Sequence, residues 1–478
     1  MERILSVTQM RSADEFTINN LGVDQNELVF RAGKCVADEI IKRFRGGRVL
    51  VCIGKGNNGA DGRVISELLS KTHGFSVTTL LASSNMYKVL DRRFDIVVDC
   101  LFGTGLNREI DGKYRNLIEK INSLNAYVVS CDIPSGLNGD TGKVMGVAVK
   151  ANLTVAIQEY KLGHFLNDGP DYTGEIVAKD IGISIWEENC VKKFSDSDVN
   201  KFFCKRLRNV NKGSFGKACI IGGSKKYTGS ALLSYNALTS LRVGAGYSYL
   251  CVPKSLLNVY ALKVPETILL TIDDDDGEML FDKNALDFVL NFDSISIGMG
   301  CGVSGSIFEI IVYLLKNYKG KLIIDADGLN CLSKYGVSVL KDKSCDVVLT
   351  PHVGEFSRLS SVHKDLILTQ PVEYAKQFAK EYGVTLLLKN AISIITNGDD
   401  CFINVTGTPA MAKAGSGDVL SGVLCGVLAR SDDVFHATVA SAYVFGRTGE
   451  IVTSKFNEYS VVASDLVANI SNAINSLF

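Results

Sequence analysis

The chain has 478 residues, of which 46% are hydrophobic and 22% charged, and its formal net charge is −1. This composition is typical of a globular protein and excludes a disordered one, and the length predicts about two to three domains. The balanced charge excludes a global field that attracts nucleic acid or an anionic membrane. We therefore expect neither as a partner, and any anion binding must be local.

The 13 cysteines stand singly, and none forms a Cys-x-x-Cys pair or a Cys/His cluster of the zinc-binding kind. We interpret them as free thiols in a reducing compartment. The first residues lack an apolar segment of signal-peptide length, and no run reaches the ~18 apolar residues of a membrane helix. The sequence thus predicts a cytoplasmic protein, and we expect it to be a homo-oligomer.

The first half alternates predicted strands with predicted helices. The strands cover residues 48–53, 76–81, 96–100, 127–131 and 154–157, and the helices cover residues 28–44, 61–72 and 114–124. A glycine loop, Gly54-Lys55-Gly56-Asn57-Asn58-Gly59, follows the first of these strands. Strand, loop, helix and strand in this order favour a parallel sheet with helices on both faces.

The segment 186–208 is rich in charge and has no sustained apolar face, so we place a boundary near residue 200, between domains 1–200 and 205–478. Alternation then resumes. The predicted strands are 218–221, 247–252, 294–298, 322–325, 347–349 and 385–388, followed by a hairpin (392–396 and 401–405) around Asn397-Gly398 and by helices at 417–429, 436–449 and 463–475.

The segment Ala414-Gly415-Ser416-Gly417-Asp418 precedes the first of these final helices. Glycines before a helix expose unpaired N–H groups and the positive end of the helix dipole, which suits a phosphate. Asp418 has two interpretations. It is either a simple N-cap, which stabilises by about 0.5–2 kcal/mol, or a base that takes a proton from a substrate hydroxyl.

Four further loops follow predicted strands of the second half. They are Gly222-Gly223-Ser224, residues 325–330, residues 350–355 and Leu388-Lys389-Asn390-Ala391. Taken singly, Asp325 could cap a helix and His352 could be a satisfied core histidine. In open α/β sheets, however, ligands bind at the carboxyl ends of strands, so the joint placement favours a ligand site.

On these motifs the second half resembles the ADP-dependent NAD(P)H-hydrate dehydratases, which have the ribokinase-like fold. The matching segments are 212–217, 222–224, 242–246, 265–266, 325–330, 350–355 and 404–418. Two segments depart from the family pattern. Gly298-Met299-Gly300-Cys301-Gly302 stands where the family has Gly-Pro-Gly-Leu-Gly. Asn390 replaces a glycine, and we expect a left-handed backbone there.

The resemblance implies that hydrated NADH or NADPH loses water at the expense of ADP, because phosphorylation turns a hydroxyl into a good leaving group. Asp418 would be the catalytic base, and Mg²⁺ would accompany the nucleotide. ADP would be bound by Lys389, Asn390, Ala391, Ile392, Ser393 and Gly417. The hydrated cofactor would contact Ala245, Gly300, Gly302, His352 and Asp418.

Side-chain oxygens also follow strands of the first half. Its glycine loop is not Gly-x-Gly-x-x-Gly, and the amide oxygens of Asn57 and Asn58 suit a monovalent cation or an amide-bearing ligand. Asp99 and Asp132 end two further strands, each before a glycine-containing turn. The simpler interpretation is a set of tight turns in which carboxylates cap helices.

Residues 1–185 resemble the NAD(P)H-hydrate epimerases, which implies a Rossmann-like doubly wound sheet and interconversion of the R and S hydrates. Ala60 replaces a family glycine and is tolerable only with a negative φ. Asp132 would be the acid/base group, and K⁺ would bind to Asn58, Asp99 and Ser135. The hydrated cofactor would be bound by Asn57, Asn58, Gly59, Ala60, Asp61, Gly103, Thr104, Gly105, Leu106, Asn107, Arg108, Glu109 and Asp132.

Together the halves predict one bifunctional metabolite-repair enzyme with NADHX or NADPHX and ADP as ligands. The alternative is a small-molecule kinase of the hydroxyethylthiazole type fused to a non-catalytic Rossmann-like scaffold. That kinase would consume ATP and accumulate a stable phosphorylated product.

Overall fold

The structure, a computed structural model, describes residues 1–82, 90–186, 189–239 and 242–478. Glu187 and Glu188 of the predicted charged segment lie outside these ranges. The chain divides into two compact units, Arg3–Val191 and Lys192–Phe478, the second including Met1–Glu2. Within the described ranges, no helix has both the length and the apolar character required to span a lipid bilayer.

The first half contains β1 (Glu2–Leu5), α1 (Val7–Asn19), α2 (Gln25–Arg43), β2 (Gly47–Ile53), α3 (Asn57–Lys71), β3 (Phe75–Leu81), β4 (Ile96–Cys100), α4 (Gly112–Ser123), β5 (Tyr127–Cys131), β6 (Leu153–Ile157), β7 (Tyr160–Lys161), α5 (Gly169–Thr173) and β8 (Glu175–Lys179). Six strands form a sheet in the order β3-β2-β4-β5-β6-β8, and every pair is parallel.

Both faces of this sheet are buried, and the residues of β2 show how. Val49 and Val51 belong to the apolar cluster that includes α1, α2 and α3. Leu50 and Cys52, one position along, belong to the cluster that includes α4. Successive side chains of a strand point to opposite faces, so a strand covered by helices on both sides reads as a continuous apolar run. The doubly wound prediction is confirmed.

The second half contains β9 (Val191–Lys193), α6 (Asp196–Val199), β10 (Lys217–Ile221), α7 (Thr228–Thr239), β11 (Tyr247–Pro253), α8 (Leu257–Ala261), β12 (Ile268–Ile272), β13 (Asp274–Asp275), β14 (Glu278–Met279), α9 (Lys283–Val289), β15 (Ser294–Ile297), α10 (Gly305–Asn317), β16 (Lys321–Ile324), α11 (Ala326–Tyr335), β17 (Asp346–Leu349), α12 (Val353–Ser360), α13 (Lys364–Thr369), α14 (Pro371–Tyr382), β18 (Thr385–Leu388), β19 (Ser393–Thr396), β20 (Cys401–Asn404), α15 (Ser416–Leu428), α16 (Val434–Lys455) and α17 (Ala463–Asn475).

Its main sheet has the order β12-β11-β10-β15-β16-β17-β18-β19-β20. The strands from β12 to β18 are parallel, and β18, β19 and β20 pair antiparallel, which confirms the predicted hairpin. Helix α15 packs between α7 and α16, and its residues from Val419 onward are buried. The carboxyl ends of the parallel strands therefore share one edge, toward which the first turn of α15 points.

The glycine loop of the first half differs from its prediction, because α3 begins at Asn57 and not at Asp61. Gly56 takes the N-cap position, so Gly59 falls in the first helical turn. A Cβ on Gly59 would lie 2.2 Å from the carbonyl oxygen of Gly54, which explains the glycine. Ala60 is helical and so has the negative φ that it requires.

Asn390 also differs from its prediction. It is absent from the non-glycine residues with positive φ, so the backbone at this position is not left-handed. The loop between β18 and β19 therefore accepts asparagine without strain.

Candidate active sites

A cavity of about 660 Å³ opens at the carboxyl ends of β2, β4 and β5 in the amino-terminal unit. This is the size range of small-molecule sites. Its lining includes ten of the predicted residues: Asn57, Asn58, Asp61, Gly103, Thr104, Gly105, Leu106, Asn107, Arg108 and Asp132. Gly59, Ala60 and Glu109 are not part of the lining. Apolar residues of α1 and α2, such as Met10 and Leu28, close one side.

Asp132 is held in place at the end of β5 in a left-handed backbone conformation, with φ 66°. Its Oδ1 accepts hydrogen bonds from the Lys161 ammonium and from the Ile157 backbone N–H (3.0 Å). The Lys161 side chain is only 1% exposed and also donates to the Ile157 carbonyl (2.7 Å). Strained backbone of this kind persists only where the surroundings over-determine it. The contacts thus fix the Asp132 side chain at the cavity wall.

His164 supports the same turn. Its Nε2 donates to the Asp132 carbonyl (2.8 Å), and its Nδ1 accepts from the Lys161 N–H (3.1 Å). Burial and the nearby Lys161 charge lower the pKa of His164 to about 4, so the ring is neutral and serves as a brace. Lys161 and His164 were not predicted from the sequence. Nothing in the local pattern of β7 indicates a lysine buried against Asp132.

Three carboxyl groups line the cavity, those of Asp14, Asp61 and Asp132. Burial, then the charges of Asp132 and Asp14, raise the pKa of Asp61 to about 8. Burial and Asp132 also raise the pKa of Asp14. Asp14 of α1 was missed, because it comes from a helix far from the glycine loop in sequence.

The three predicted K⁺ ligands lie together beside this cavity. Asp99 is fully buried and accepts hydrogen bonds from Ser135 Oγ (2.6 Å) and N–H (2.8 Å). Asn58 Nδ2 donates a hydrogen bond to the Phe102 carbonyl (2.8 Å). The Phe102 N–H in turn donates to Ser135 Oγ (2.8 Å). Asn58 Oδ1 is buried and has no hydrogen-bond partner in the part of the chain that the structure describes. An orphaned acceptor among other oxygens fits a hard cation.

A transition-metal site is not indicated. Over residues 1–82, 90–186, 189–239 and 242–478, no group of three or more His, Cys, Asp or Glu side chains could hold a metal ion. A cation beside Asn58 would instead meet one carboxylate and several neutral oxygens.

The second site is built on Asp325, which follows β16 and is buried. Its Oδ1 accepts from Lys389 Nζ (2.8 Å), and its Oδ2 accepts from Ser421 Oγ (2.6 Å). Burial acts to raise the pKa of Asp325, but the charge and hydrogen bond of Lys389 outweigh it and lower the pKa. A Cβ on Gly417 would lie 3.4 Å from Lys389 Nζ. The Lys389 ammonium therefore lies beside the first turn of α15.

Asp418 is not a helix cap. The N-cap of α15 is Gly415, with φ 90° and no side-chain hydrogen bond, and Asp418 is the third helical residue. Burial and the charge of Asp325 raise its pKa to about 6, and Ser230 donates a hydrogen bond to it. The N-cap interpretation is thus wrong. A half-buried carboxylate that titrates near neutrality suits a general base.

The predicted glycines lie close to Asp418. A Cβ on Gly300 would lie 2.7 Å from Tyr227 Cβ and 3.1 Å from Ser230 Cβ. The Gly302 N–H donates to Asp327 Oδ2 (2.9 Å). Tyr227 and Ser230 were missed, because only the tertiary fold brings the start of α7 to this edge of the sheet.

His352 has a structural part in this site. His352 is the N-cap of α12, and its Nδ1 accepts a hydrogen bond from the Gly354 N–H (3.0 Å). Its backbone N–H donates to Glu355 Oε2 (2.8 Å). Its side chain remains 57% exposed, so its other ring face is available to a ligand.

Two predicted groups remain to be placed. Residues 389–392 form the loop between β18 and β19, in which Asn390 and Ala391 are exposed, and Ser393 begins β19. Ala245 is buried two residues before β11. It thus lies at the amino ends of the strands, across the sheet from Asp325, and is not brought to the site.

Comparison with known proteins identifies both halves. A family model described as NAD(P)H-hydrate dehydratase matches residues 218–472, and one described as YjeF-related protein N-terminus matches 25–92 and 83–163. The bifunctional NAD(P)H-hydrate repair enzyme Nnr of Archaeoglobus fulgidus is 33% identical over 473 residues, which cover 95% of each chain. The chain belongs to the family of bifunctional NAD(P)H-hydrate repair enzymes. The Nnr protein of Dictyoglomus turgidum is 31% identical over 90% of this chain and 89% of its own.

Solved structures support the ribokinase-like fold. An ADP/ATP-dependent NAD(P)H-hydrate dehydratase from Bacillus subtilis, co-crystallised with ATP and Mg²⁺, has 24% identity and a TM-score of 0.52. It covers 60% of this chain and 99% of its own. A ribokinase-like superfamily protein from Enterococcus faecalis has 22% identity and the same TM-score, over 62% of this chain and 98% of its own.

The chain thus has the epimerase and dehydratase domains of a bifunctional repair enzyme. A kinase fused to a scaffold is less well supported, because proteins named as bifunctional repair enzymes match along nearly the whole chain.

Proposed function

We propose that both sites act on one damaged cofactor in the cytoplasm. The amino-terminal cavity interconverts the R and S hydrates of NADH or NADPH. The carboxyl-terminal site dehydrates the S hydrate at the expense of ADP, releasing AMP and phosphate. The observation that carries this proposal is the placement of Asp418, a carboxylate with a pKa of about 6, on the helix turn beside Lys389.

In the carboxyl-terminal site, Asp418 takes the proton of the substrate hydroxyl while the hydroxyl oxygen forms a bond to the β-phosphorus of ADP. The bond from that phosphorus to AMP breaks. The bond between the ring carbon and the phosphate oxygen then breaks, and the phosphate departs with the electron pair of that bond. Loss of a proton from the neighbouring ring carbon restores the nicotinamide. Lys389 and the N–H groups of Gly415 and Gly417 stabilise the transferring charge.

Ligand contacts are assigned to the same edge of the sheet. Residues 389–393 and Gly417 bind ADP, and Gly300, Gly302 and His352 contact the hydrate. Three buried hydroxyls have no hydrogen-bond partner among the described residues and are available to ligands, namely those of Ser224 and Thr350 on loops and of Ser416 at the start of α15. Mg²⁺, bound with the nucleotide, would neutralise phosphate charge. Ala245 has no part in this site.

In the amino-terminal cavity, Asp132 takes the hydroxyl proton of the hydrate and returns it, and Lys161 pairs with Asp132 and orients it. Asn58, Asp99 and Ser135 would hold K⁺, which would supply positive charge between the adjoining loops. The orphaned Asn58 Oδ1 supports this assignment. We also expect the enzyme to be a homo-oligomer.

Product analysis tests the dehydratase assignment against the kinase alternative. With hydrated NADPH and ADP, we expect AMP, phosphate and NADPH in equal amounts, because phosphorylation serves only to expel the oxygen. Chromatography with phosphate analysis measures all three. A stable phosphorylated hydrate that accumulates while NADPH does not form would contradict the proposal.

Removal of K⁺ tests the cation site by a readout besides activity. We expect the melting temperature of the amino-terminal unit to be higher in KCl than in choline chloride, because a ligand of the native state stabilises it. Ser135→Ala should lose most of this salt difference, whereas the exposed control Ser70→Ala should keep it. Equal melting temperatures in both salts for the wild type would refute the site.

A further inference from the structure

Of the carboxyl groups that line the amino-terminal cavity, only that of Asp132 has been given a role in the reaction. Asp61, on the second turn of α3, lines it together with Asp14 and Asp132. The buried Lys161 ammonium pairs with Asp132. Neither Asp14 nor Asp61 forms an ion pair with any residue in the described part of the chain, and the hydrogen bond to Asp61 comes from Cys131 Sγ at 3.9 Å.

This arrangement places two neighbouring carboxyl groups in different environments. The Lys161 ammonium pairs with Asp132. An ionised Asp61 would be a buried carboxylate without an ion-pair partner among the described residues, close to the charge of Asp132, which is costly. Asp61 accordingly keeps its proton at neutral pH, as its pKa of about 8 also indicates. Such a divergence in one site marks an acid and a base.

Several titratable groups face Asp61 from the surrounding elements. They are Asp14 of α1, Cys35 of α2, Cys100 of β4, Cys131 and Asp132 at the end of β5, and Lys161 of β7. Burial raises the pKa of Cys35 to about 12, and the Cys100 contact and burial raise that of Cys131, so both thiols are neutral. The charges that raise the pKa of Asp61 are those of Asp132 and Asp14. The cations that line the same cavity are Arg11, Lys55, Arg108 and Lys161.

Inversion of the hydrate needs both an acid and a base. Its reacting carbon bears a hydroxyl and the ring nitrogen. When the base takes the hydroxyl proton, a carbonyl forms, the carbon–nitrogen bond breaks, and the electron pair moves to nitrogen, which takes a proton from the acid. Rotation and the reverse steps close the ring with the opposite configuration. No oxidant or reductant is consumed.

We propose that Asp61 is the catalytic proton donor to the ring nitrogen and that Asp132 is the base on the hydroxyl. This inference rests on the proposed epimerase function of the cavity. It gives Asp61 a part in the chemistry beyond binding, and it gives Asp14 a positioning role, since its charge keeps the proton on Asp61.

Asp61→Asn tests the proposal, because the amide resembles a protonated carboxyl and keeps its hydrogen bonds but has no acidic proton to transfer. The full chain in KCl, without ADP, interconverts purified R and S hydrates, which chromatography follows. We expect kcat to fall by about 10²- to 10⁴-fold, with little change in KM and with normal dehydration of the S hydrate. A kcat within about threefold of wild type would overturn the proposal, since a binding role tolerates the amide.

The pH profile provides a second test that a structural role would not satisfy. Wild-type epimerisation should decline as pH rises through about 8, where Asp61 loses its proton. Asp14→Asn removes a neighbouring negative charge and should move this decline to lower pH. An unmoved decline overturns the proposal. If the wild type does not interconvert the hydrates, the epimerase function itself is overturned. If the wild type and the Asp61→Asn variant are both active, only the role of Asp61 is overturned.

Discussion

We expect Asp418→Asn to abolish ADP-dependent dehydration and to leave epimerisation intact. The amide keeps the size of the side chain but cannot accept the substrate proton. Loss of a general base costs about 10²- to 10⁴-fold in rate. Because Asp418 is half-buried on the first turn of α15 and caps nothing, we expect little loss of stability. Initial rates of NADPH formation from the S hydrate and ADP measure the effect.

An exposed carboxylate near the other end of the same helix provides the matched control. Asp432→Asn should dehydrate at the wild-type rate, since Asp432 is exposed and remote from Asp325. In the wild type, kcat/KM for dehydration should fall as pH drops through about 6, because protonation removes the base form of Asp418. Substantial dehydration by Asp418→Asn would refute its assignment as the base.

We expect Asp132→Asn to produce the reverse pattern, loss of epimerisation with dehydration retained. The variant removes the proposed base and leaves the Lys161 ammonium buried without its partner. An unpaired buried charge destabilises by about 3–5 kcal/mol, so chemistry and stability must be separated. Chromatographic R/S interconversion and the melting temperature are measured on the same sample.

The double variant Asp132→Asn/Lys161→Met makes that separation, because it removes both charges. It should recover much of the stability and none of the epimerase activity. The melting temperature of the amino-terminal unit reports that each variant is folded there, and dehydration of the S hydrate reports that the carboxyl-terminal unit is intact. Epimerisation at the wild-type rate in either variant would show that Asp132 is not the base.

The sequence predicted the sheets well for a physical reason. Strands β4, β5 and β18 and helix α17 have the predicted bounds, since strands buried on both faces appear as uninterrupted apolar runs. Motif residues at strand ends were then brought together by the parallel topology. Asp325 and Lys389, 64 positions apart, form an ion pair in this way.

The missed residues have no local signature. Asp14, Lys161 and Ser230 lie on helices or short strands outside the glycine-rich loops, and only tertiary packing brings them to the sites. Ala245 was misplaced for the opposite reason. It belongs to a recognisable motif, but that motif precedes β11 and lies at the wrong edge of the sheet. The places of the missed residues and of Ala245 could not be decided without the connectivity of the fold.

One measurement tests the division of labour between the two units most directly. An equal mixture of R and S hydrates of NADPH is incubated with the enzyme, ADP, Mg²⁺ and K⁺, at a pH that suppresses spontaneous epimerisation, and the absorbance of the reduced nicotinamide is followed. We predict return of the full absorbance with wild type, and a plateau at the S share with Asp132→Asn. A wild-type plateau at the S share, or no return of absorbance at all, would contradict a bifunctional repair enzyme.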